Sequence, residues 1–418
     1  MSAEERLLKP IEGNGVKFES SLEILRFDPE RMMRIAGIMV DTSLKIKEQD
    51  RLLLRFHPGG SQLAQMIGYL AAERGAAVLP RCEDALVEAA ILAGISHHET
   101  PQIMNDITLG ASQDIAWATK VAFVRSKDFP HANDIVPADT QKAYNQSLDP
   151  SLRIRVERRP WTLIYIPTRA EAQIDQMTYE DYVGMFLRGC DRPWEQVNGG
   201  QDILINDYLN PGKELELFAG QNTSGEWQTH LWMSIEGMTF ANSTIDFNIP
   251  GSEVFSSPKR GTVNGRLNIP YPVNFAGRVL PNIGLLFENG RIIQHSVDSN
   301  IPEHYGWVKT QLATDEGARE IGEIALGTNR VFNRPLLNGL YVEKVGGSFH
   351  ITPGCAYSYK EYAGKPVNLD NGVRSAIHED LTCMMLPEYG GGKVVVDGEV
   401  IQENGQFLDP RLEILNET

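Results

Sequence analysis

The sequence predicts an α/β domain with a parallel sheet, followed by a β-rich α+β domain. In the first half, apolar runs typical of buried strands alternate with segments of helical periodicity, which is the pattern of a parallel sheet. After about residue 205, short alternating runs separated by Gly, Pro and Asn replace the helical periods. A chain of 418 residues is long enough for two domains. We therefore expect an α/β domain over residues 1–205 and a β-rich domain over residues 206–418.

Two strand–helix units mark the first half of the chain. Residues 51–56 form a short apolar run suited to a buried strand, and residues 62–74 carry apolar side chains at helical spacing. Residues 76–79 then predict the next strand of the same unit. We expect a second unit with a strand at residues 161–166 and a helix near residues 179–187. Strands that alternate with helices in this way pair in parallel.

Short strands and hairpin turns mark the second half. The expected strands include residues 214–218, 285–287, 291–295 and 393–396. Asn289-Gly290 and Asp397-Gly398 predict hairpin turns, since Asn-Gly and Asp-Gly pairs tolerate positive φ. We expect a helix at residues 314–326 to interrupt these strands, because acidic residues fill its first turn and a glycine follows it.

The composition restricts the partners and the compartment. The formal net charge is -16, and binding to nucleic acid or to an anionic membrane draws on clustered Lys and Arg, so we expect neither partner. No run reaches the ~18 apolar residues that a membrane helix needs. The four cysteines are scattered without a CxxC pair, which is typical of a reducing compartment. The first ten residues lack the apolar core of a signal peptide, so we expect a cytoplasmic protein.

Dispersed histidines and carboxylates are the candidates for chemistry. The sequence has no GxSxG elbow, no active-site cysteine signature and no HExxH motif, which leaves metal chemistry of another kind. His350 follows a glycine-rich turn, and His378 stands two residues before Asp380. In a strand, His378 and Asp380 would face the same side and share one ion. A lone histidine in an apolar strand is more often a hydrogen-bonded core residue, so each signal by itself is weak.

Four segments of the second half form a more specific set. They are NIPGSEVFSSP (248–258), AREIGEIALGTN (318–329), YVEKVGGSFHITPG (341–354) and SAIHEDL (375–381). In order and spacing they resemble the motifs of the aminopeptidase T / aminopeptidase S family of dinuclear metallo-aminopeptidases. The resemblance implies metal ligands at Glu253, Glu323, Glu343, His350, His378 and Asp380. It also identifies Tyr357, seven residues past the histidine of the third segment, as a catalytic group.

The resemblance implies an aminopeptidase that acts on short peptides and assembles as a homodimer. Two divalent ions about 3.5–4 Å apart share one water and lower its pKa toward neutrality. The resemblance assigns the bridging carboxylate to Glu323, and such ligands suit Zn²⁺, Co²⁺ or Mn²⁺. Tyr357 is then expected to donate a hydrogen bond to the oxyanion, or else simply to pack under a loop. Glu343 is the candidate general base if it is not a ligand, while Glu320 and Glu379 are expected to be structural.

Two other functions stay open at this point. The chain reads Gly327-Thr328-Asn329 where the family's peptidases follow the same motif with Val-Pro, so the reaction class is not fixed by the motifs. One alternative is a mononuclear Fe(II) dioxygenase that cleaves a hydroxylated pyridine ring, with His350, His378 and Asp380 as its facial triad. The other is a non-catalytic homologue that binds metal for stability.

Overall fold

The chain folds as two compact units. The computed structural model describes residues 28–96, 98, 101–129, 132–137, 139–141, 143–144, 146–148 and 159–418, and the backbone of 11–13 and 16–18. The first unit is residues 1–191 with 245–249, and the second is residues 192–244 with 250–418. The boundary between the compact units, at residues 191–192, therefore lies before the predicted domain boundary at residues 205–206. The first ten residues, where no signal peptide is predicted, lie outside the described residues.

The helices belong mainly to the first unit. They are α1 (Pro29–Gly37), α2 (Ser61–Glu73), α3 (Ala85–Ile95), α4 (Pro101–Trp117), α5 (Arg169–Ile174), α6 (Tyr179–Cys190), α7 (Trp194–Ile203), α8 (Pro302–Gln311), α9 (Gly339–Val342) and α10 (Glu413–Asn416). π-helical turns at Ile38–Ser43 and Leu204–Leu209 continue α1 and α7. Asp28, Asp84, Thr168 and Thr178 cap α1, α3, α5 and α6, each accepting backbone N–H hydrogen bonds in the first turn.

The strands are short, and most belong to the second unit. They are β1 (Ile11–Gly13), β2 (Val16–Phe18), β3 (Arg51–Phe56), β4 (Ala77–Cys82), β5 (Lys120–Ser126), β6 (Trp161–Ile166), β7 (Glu214–Gln221), β8 (Trp227–Ser234), β9 (Ala241–Ser243), β10 (Asn248–Ile249), β11 (Glu253–Ser256), β12 (Asn264–Ile269), β13 (Val273–Phe275), β14 (Arg278–Leu280), β15 (Ile283–Glu288), β16 (Arg291–Ser296), β17 (Ile321–Gly327), β18 (Ser348–Pro353), β19 (Glu361–Tyr362), β20 (Lys365–Pro366), β21 (Leu381–Met384), β22 (Gly392–Val396), β23 (Glu399–Glu403) and β24 (Gln406–Phe407).

The first unit is built on the predicted parallel sheet. Its five strands lie in the order β10-β6-β5-β3-β4, and every neighbouring pair is parallel. Leu53 on β3 packs with Val121 and Phe123 on β5, and Ile115 of α4 closes this core from one side. Apolar burial of this kind is worth roughly 1.5–3 kcal/mol for each large side chain. The succession of β3, α2 and β4 confirms the strand–helix–strand pattern that the sequence predicts for residues 51–79.

The second unit is built on two large antiparallel sheets, and the pairs β13-β14 and β19-β20 form two further two-stranded sheets. The larger has eight strands in the order β16-β15-β12-β8-β7-β22-β23-β24. The smaller has five strands in the order β21-β18-β17-β11-β9. Asn289 and Asp397 adopt positive φ, each followed by a positive-φ glycine, at the two hairpin turns predicted from the sequence. The α/β unit followed by a β-rich unit is the predicted fold class.

The prediction of a helix at residues 314–326 is wrong. A 3₁₀ turn covers Gly317–Arg319, and residues 321–327 form the central strand β17 of the five-stranded sheet. All seven residues of β17 are buried, because its neighbours β11 and β18 cover its edges and other segments cover both faces. A short apolar run has no periodicity that separates a buried strand from a helix. Tertiary pairing therefore overrides the helix preference of its Ala, Glu and Leu residues.

Among the described residues, no helix is long and apolar enough to cross a membrane.

Candidate metal site

The central strand β17 carries the first predicted ligand into the protein interior. Side chains alternate between the two faces along a strand, so Glu323 and Ala325 share one face of β17. His350 pairs with Ala325 across the ladder between β17 and β18. Glu323 and His350 are therefore diagonal neighbours on the same face of the sheet.

The neighbouring strands place two more predicted ligands on that face. Phe255 of β11 pairs with Ala325, so Glu253, two residues before Phe255, shares its face. Thr382 of β21 pairs with His350, and Asp380 precedes Thr382 by two residues. The five-stranded sheet thus gathers carboxylates and an imidazole from β11, β17 and β18 and from the residue just before β21, although they are far apart in sequence.

The carboxylate of Glu323 lies between two imidazoles. Its Oε1 is 3.5 Å from Nε2 of His350, and its Oε2 is 3.1 Å from Nε2 of His378. Each carboxylate oxygen therefore faces a different histidine. One carboxylate can therefore contact two positively charged groups at the same time.

Two hydrogen bonds fix the orientation of the other groups beside Glu323. Nδ1 of His378 is 2.7 Å from the carbonyl oxygen of Cys355, and a carbonyl only accepts, so Nδ1 carries the proton. Nε2 of His378 is therefore the nitrogen that can face an ion once its own proton has been displaced, which is the usual orientation of a metal-binding histidine. Thr352 donates a hydrogen bond of 2.5 Å to Oδ1 of Asp380. Asp380 Oδ1 in turn lies 3.6 Å from Nε2 of His378.

Three side chains can ligate a single ion together. Within the described part of the chain, Glu323, His378 and Asp380 each offer one ligand atom, and these atoms lie within 4.8 Å of one another. The sequence is compatible with a strand at His378. The residue lies instead in a single bridge to Gly354 just before β21. The extended backbone there still turns His378 and Asp380 toward the same point.

The remaining predicted ligands surround a buried lysine. Nζ of Lys344 donates to Oε1 of Glu253 in a very short contact and to Oε2 of Glu343 at 3.1 Å. The side chain of Lys344 is fully buried. The other oxygen of Glu253, Oε2, lies 3.9 Å from Nε2 of His350. Glu253 therefore connects the lysine to the histidine that faces Glu323.

The donor set fits a divalent cation. Among the described residues, Oε2 of Glu253, Nδ1 of His350 and Nε2 of His378 are buried without a hydrogen-bond partner. Buried polar atoms are rarely left in this state unless an unplaced ion or water satisfies them. Carboxylate oxygens and imidazole nitrogens are ligands of Zn²⁺, Co²⁺ and Mn²⁺. The cluster is thus suited to the cation that its sequence motifs imply.

Protons take up part of the negative charge when no ion is bound. Burial lowers the pKa of His378, but the carboxylates of Asp380 and Glu323 outweigh it and raise the pKa to about 10. The pKa of His350 is likewise raised, against the effect of burial, to about 9 by Glu323 and Asp380. Burial opposes ionisation of Asp380, yet the two imidazoles lower its pKa to about 2. Such strongly perturbed groups in one cluster are typical of functional sites.

Burial raises the pKa of Glu343 to about 8, although Lys344 acts in the opposite direction. Its carboxyl group can therefore exchange a proton near neutral pH, which is what a general base requires. Glu343 lies at the C-terminal end of the short helix α9. The structure thus places it at the border of the cluster, within reach of Lys344.

Tyr357 lies against the candidate metal ligands. Its ring is 5.1 Å from the ring of His378 and meets Phe255 edge-on at 5.5 Å. It also stacks on Tyr359 at 5.4 Å. Burial, with the charges of Glu323 and Asp380, raises the pKa of the Tyr357 phenol well above its ordinary value. The hydroxyl stays protonated at neutral pH and can donate a hydrogen bond.

Two carboxylates close to the motifs have structural roles. Glu320 does not lie one helical turn before Glu323, since residues 321–327 form a strand. It accepts two hydrogen bonds from Arg260, at 2.7 and 3.0 Å, and one from Arg291. Glu379 accepts a hydrogen bond from the backbone N–H of Ala276 at 2.8 Å. Both side chains therefore stabilise loops, as predicted.

Sequence reasoning missed Lys344, Thr352 and the carbonyl of Cys355. Lys344 stands beside Glu343 in an otherwise apolar and glycine-rich segment, and a lone lysine there was the available signal. The orienting hydrogen bonds of Thr352 and Cys355 had no signal in the sequence, because they depend on strand register and on the path of the chain after β18.

A buried cluster of carboxylates and imidazoles with strongly perturbed pKa values is typical of a metal site in an enzyme. The model of the thermophilic metalloprotease family (M29) matches residues 28–407, and the chain belongs to this family.

Individual relatives are similar over part or all of the chain. Aminopeptidase 2 of Geobacillus stearothermophilus is 29% identical over 248 residues, which are 53% of this chain and 55% of that protein. The structure of wild-type AmpT from Thermus thermophilus is similar with a TM-score of 0.72 at 18% identity, covering 91% of this chain and 99% of that one. The chain spans about half the length of the curated relatives that it matches.

A structure with a different chemistry shares the fold. The 2,5-dihydroxypyridine dioxygenase of Pseudomonas putida KT2440 is similar with a TM-score of 0.53 at 10% identity, over 91% of this chain and 98% of that one. At such identities a structural likeness shows the fold alone, because one fold hosts different reactions. The reaction has to be argued from the site.

Proposed function

We propose that this protein is a metal-dependent aminopeptidase that removes N-terminal residues from short peptides. The observation that carries the proposal is the buried Glu323 carboxylate, with one oxygen facing His350 and the other facing His378. Membership of the metalloprotease family and the relatives named as aminopeptidases support the same reaction. The reaction is hydrolysis of the first peptide bond.

We propose Glu323, His378 and Asp380 as the ligands of the first ion. The two-ion form expected from the sequence needs Glu253, Glu343 and His350 around a second position, with Glu323 shared between the two. Mixed carboxylate and imidazole ligands suit Zn²⁺, Co²⁺ or Mn²⁺. A bound divalent ion lowers the pKa of a coordinated water and polarises the scissile carbonyl group.

The side chains of the chain supply the proton transfer and the stabilisation of charge. Tyr357 keeps its hydroxyl proton and lies beside His378, so it can donate a hydrogen bond to the oxygen on which negative charge develops. In the form with one ion, where Glu343 is not a ligand, it is the candidate general base, because its raised pKa lets it accept a proton and pass it on near neutral pH.

The dioxygenase alternative has less support. A mononuclear Fe(II) site would need His350, His378 and Asp380 as a facial triad with open positions. The Glu323 carboxylate lies between the two histidines instead. A non-catalytic metal-binding role differs from the proposed one only in turnover, so assays of hydrolysis separate the two.

The test is hydrolysis of aminoacyl amides and short peptides by purified protein, with metal content measured in parallel. We expect hydrolysis that stops after chelation and returns with added Zn²⁺, Co²⁺ or Mn²⁺. Glu323→Gln should reduce bound metal and turnover together. Glu320→Gln is the matched control, since Glu320 pairs with Arg260 and Arg291 outside the cluster and its loss should leave metal content unchanged. Turnover that persists without any divalent ion would contradict the proposal.

We also propose the homodimer and the cytoplasmic location that the sequence predicts. Light scattering on the purified protein measures the first, since a dimer has twice the mass of the 46.6 kDa chain. Fractionation of cells of the source organism measures the second. A monomer at all protein concentrations would contradict the proposed homodimer. Recovery of the protein outside the cytoplasmic fraction would contradict the proposed location.

A further inference from the structure

A fully buried lysine lies between two of the residues that are predicted to hold the second cation of a two-ion site. Nζ of Lys344 contacts Oε1 of Glu253 and Oε2 of Glu343, which are the predicted second-ion ligands. An ammonium group deprived of water is costly unless carboxylates and hydrogen bonds compensate it. Lys344 satisfies this condition because it has two carboxylate partners and no exposed side-chain surface.

The lysine and a metal ion cannot occupy this place together. Zn²⁺ binds carboxylate oxygens at about 2.0–2.2 Å, and an ammonium donates to them at about 2.7–2.9 Å, so an ion placed between Glu253 and Glu343 would compete with Lys344 for Oε1 of Glu253 and Oε2 of Glu343. The short contact between Lys344 and Glu253 shows that the ammonium already holds one of these oxygens. The neighbouring cluster of Glu323, His378 and Asp380 contains no lysine and keeps its ligand atoms free to converge on an ion.

The charge of the cluster is compatible with one ion beside the ammonium. The four carboxylates of Glu253, Glu323, Glu343 and Asp380 are offset to within one charge by a single divalent ion and the ammonium of Lys344. A second divalent ion would leave an excess of one positive charge, so the net charge by itself does not separate one ion from two.

We propose that the ammonium of Lys344 replaces the second divalent cation, so that the wild-type chain holds one ion, at Glu323, His378 and Asp380. The inference rests on the proposed metal-dependent function and gives its site a definite stoichiometry. Lys344 acts as a positioning residue: it holds Glu253 and Glu343 in place of the second ion. Removing its charge opens that position to a metal.

The experiment compares manganese binding by wild type and Lys344→Met. Methionine keeps the length of the side chain and removes its charge. Each protein is equilibrated with excess Mn²⁺, freed of unbound ion by gel filtration, and analysed for metal per chain by mass spectrometry and for spin coupling by electron paramagnetic resonance. We expect about one Mn²⁺ in wild type with the six-line spectrum of an isolated ion. We expect about two in Lys344→Met, with the spectrum of an exchange-coupled pair about 3.5–4 Å apart.

Lys393→Met is the matched control. Lys393 pairs with Glu403 on a partly exposed hairpin, so its replacement changes the net charge by the same amount without touching the cluster. It should bind about one ion, like wild type. If Lys344→Met fails to fold, an anomalous difference map of wild-type crystals soaked in Mn²⁺ gives the same information. A peak between Glu253 and Glu343 in that map would overturn the inference.

The outcomes separate this inference from the proposed function. Two ions in wild type together with peptide hydrolysis would overturn the role of Lys344 and leave the aminopeptidase intact. One ion in both wild type and Lys344→Met would also overturn it, because the ammonium would then not be what excludes the second ion. One ion in wild type and two in the variant, without hydrolysis of any peptide, would support the inference and sink the proposed function.

Discussion

Single atoms decide the chemistry of the cluster. His378 uses Nδ1 for the carbonyl of Cys355, which leaves Nε2 facing Glu323 and Asp380. Thr352 occupies one side of the Asp380 carboxylate. Outer hydrogen bonds of this kind fix the tautomer and the direction of a ligand, and their loss typically costs 10–100-fold in metal affinity. The side chains that orient the ligands are therefore part of the site.

Tyr357→Phe tests the proposed hydrogen bond to the oxyanion. The change removes the hydroxyl and keeps the ring contacts with His378 and Phe255. We expect kcat to fall by about 10²–10³-fold, the usual loss for one such donor, with bound metal unchanged and KM changed little. Steady-state kinetics with metal analysis provide the measurement.

Tyr359→Phe is the matched control for this experiment, since Tyr359 stacks on Tyr357 but makes no ring contact with His378 among those described. Its kcat should stay within about 2-fold of wild type, well below the loss expected for an oxyanion donor. A Tyr357→Phe protein with normal kcat would show that Tyr357 only packs under its loop.

At the scale of the element, β17 is the strand on which the site depends. It pairs with β11 on one side and with β18 on the other. Its register places Glu323 on the same face of the sheet as Glu253 and His350. The pairing shifts between Ile321 and Glu323, a bulge that sets the direction of the Glu323 side chain. Gly322 lies in this bulge, and a Cβ there would meet the backbone of Gly354 and Cys355.

Gly322→Ala should destabilise the strand. The added methyl group has no space beside the Cys355 carbonyl, whose backbone also positions His378. Crowding in a packed interior costs roughly 1–3 kcal/mol, so we expect the free energy of unfolding to fall by that amount. We also expect the metal affinity to fall with it, because the carbonyl that holds His378 must move. Urea unfolding and metal titration measure the two effects.

Gly306→Ala is the control for the same chemical change. Gly306 lies on an exposed face of α8, and within the described structure nothing comes within 4 Å of an added Cβ. Alanine is favoured over glycine in a helix by about 1 kcal/mol, so this variant should be as stable as wild type or more stable. Equal stability of the two variants would show that Gly322 is not required by close packing.

At the scale of the whole molecule, the cluster makes stability depend on pH and metal. In the metal-free protein the pKa of His350 is raised to about 9 and that of His378 to about 10. In the unfolded chain a histidine has a pKa of about 6.5. A group whose pKa is raised by folding adds stability that is complete below its unfolded pKa and is lost as pH rises through its folded pKa. Glu343, with its pKa raised to about 8, acts in the same direction.

The metal-free protein should therefore lose stability between about pH 6.5 and pH 10. Saturation with Zn²⁺ should raise its stability, by about 2.7 kcal/mol at a free metal concentration of 100 Kd. The gain should grow with pH up to about 10, because the ion must displace the protons of the histidines. Thermal unfolding at several pH values, with chelator and with Zn²⁺, measures both effects. A chelated protein whose stability rises over this range would contradict the assigned protonation of the cluster.

Much of this architecture follows from the sequence alone. The strands of residues 51–56 and 161–166 are apolar runs between polar turns, and the hairpins at Asn289 and Asp397 depend on local positive φ, so both were predicted. The proposed ligands Glu323, His378 and Asp380 were named through the resemblance of their segments to the motifs of a known family. Local patterns of this kind reach only a few residues along the chain, and they are therefore readable without a structure.

Tertiary structure alone decided the rest. Residues 321–327 carry good helix formers, but they become a central strand because β11 and β18 satisfy their backbone hydrogen bonds on both sides. Lys344 is ordinary in the sequence, and only the convergence of Glu253 and Glu343 around it makes a buried ammonium stable. Pairing and charge compensation between distant segments depend on the folded arrangement, and no local pattern in the sequence encodes them.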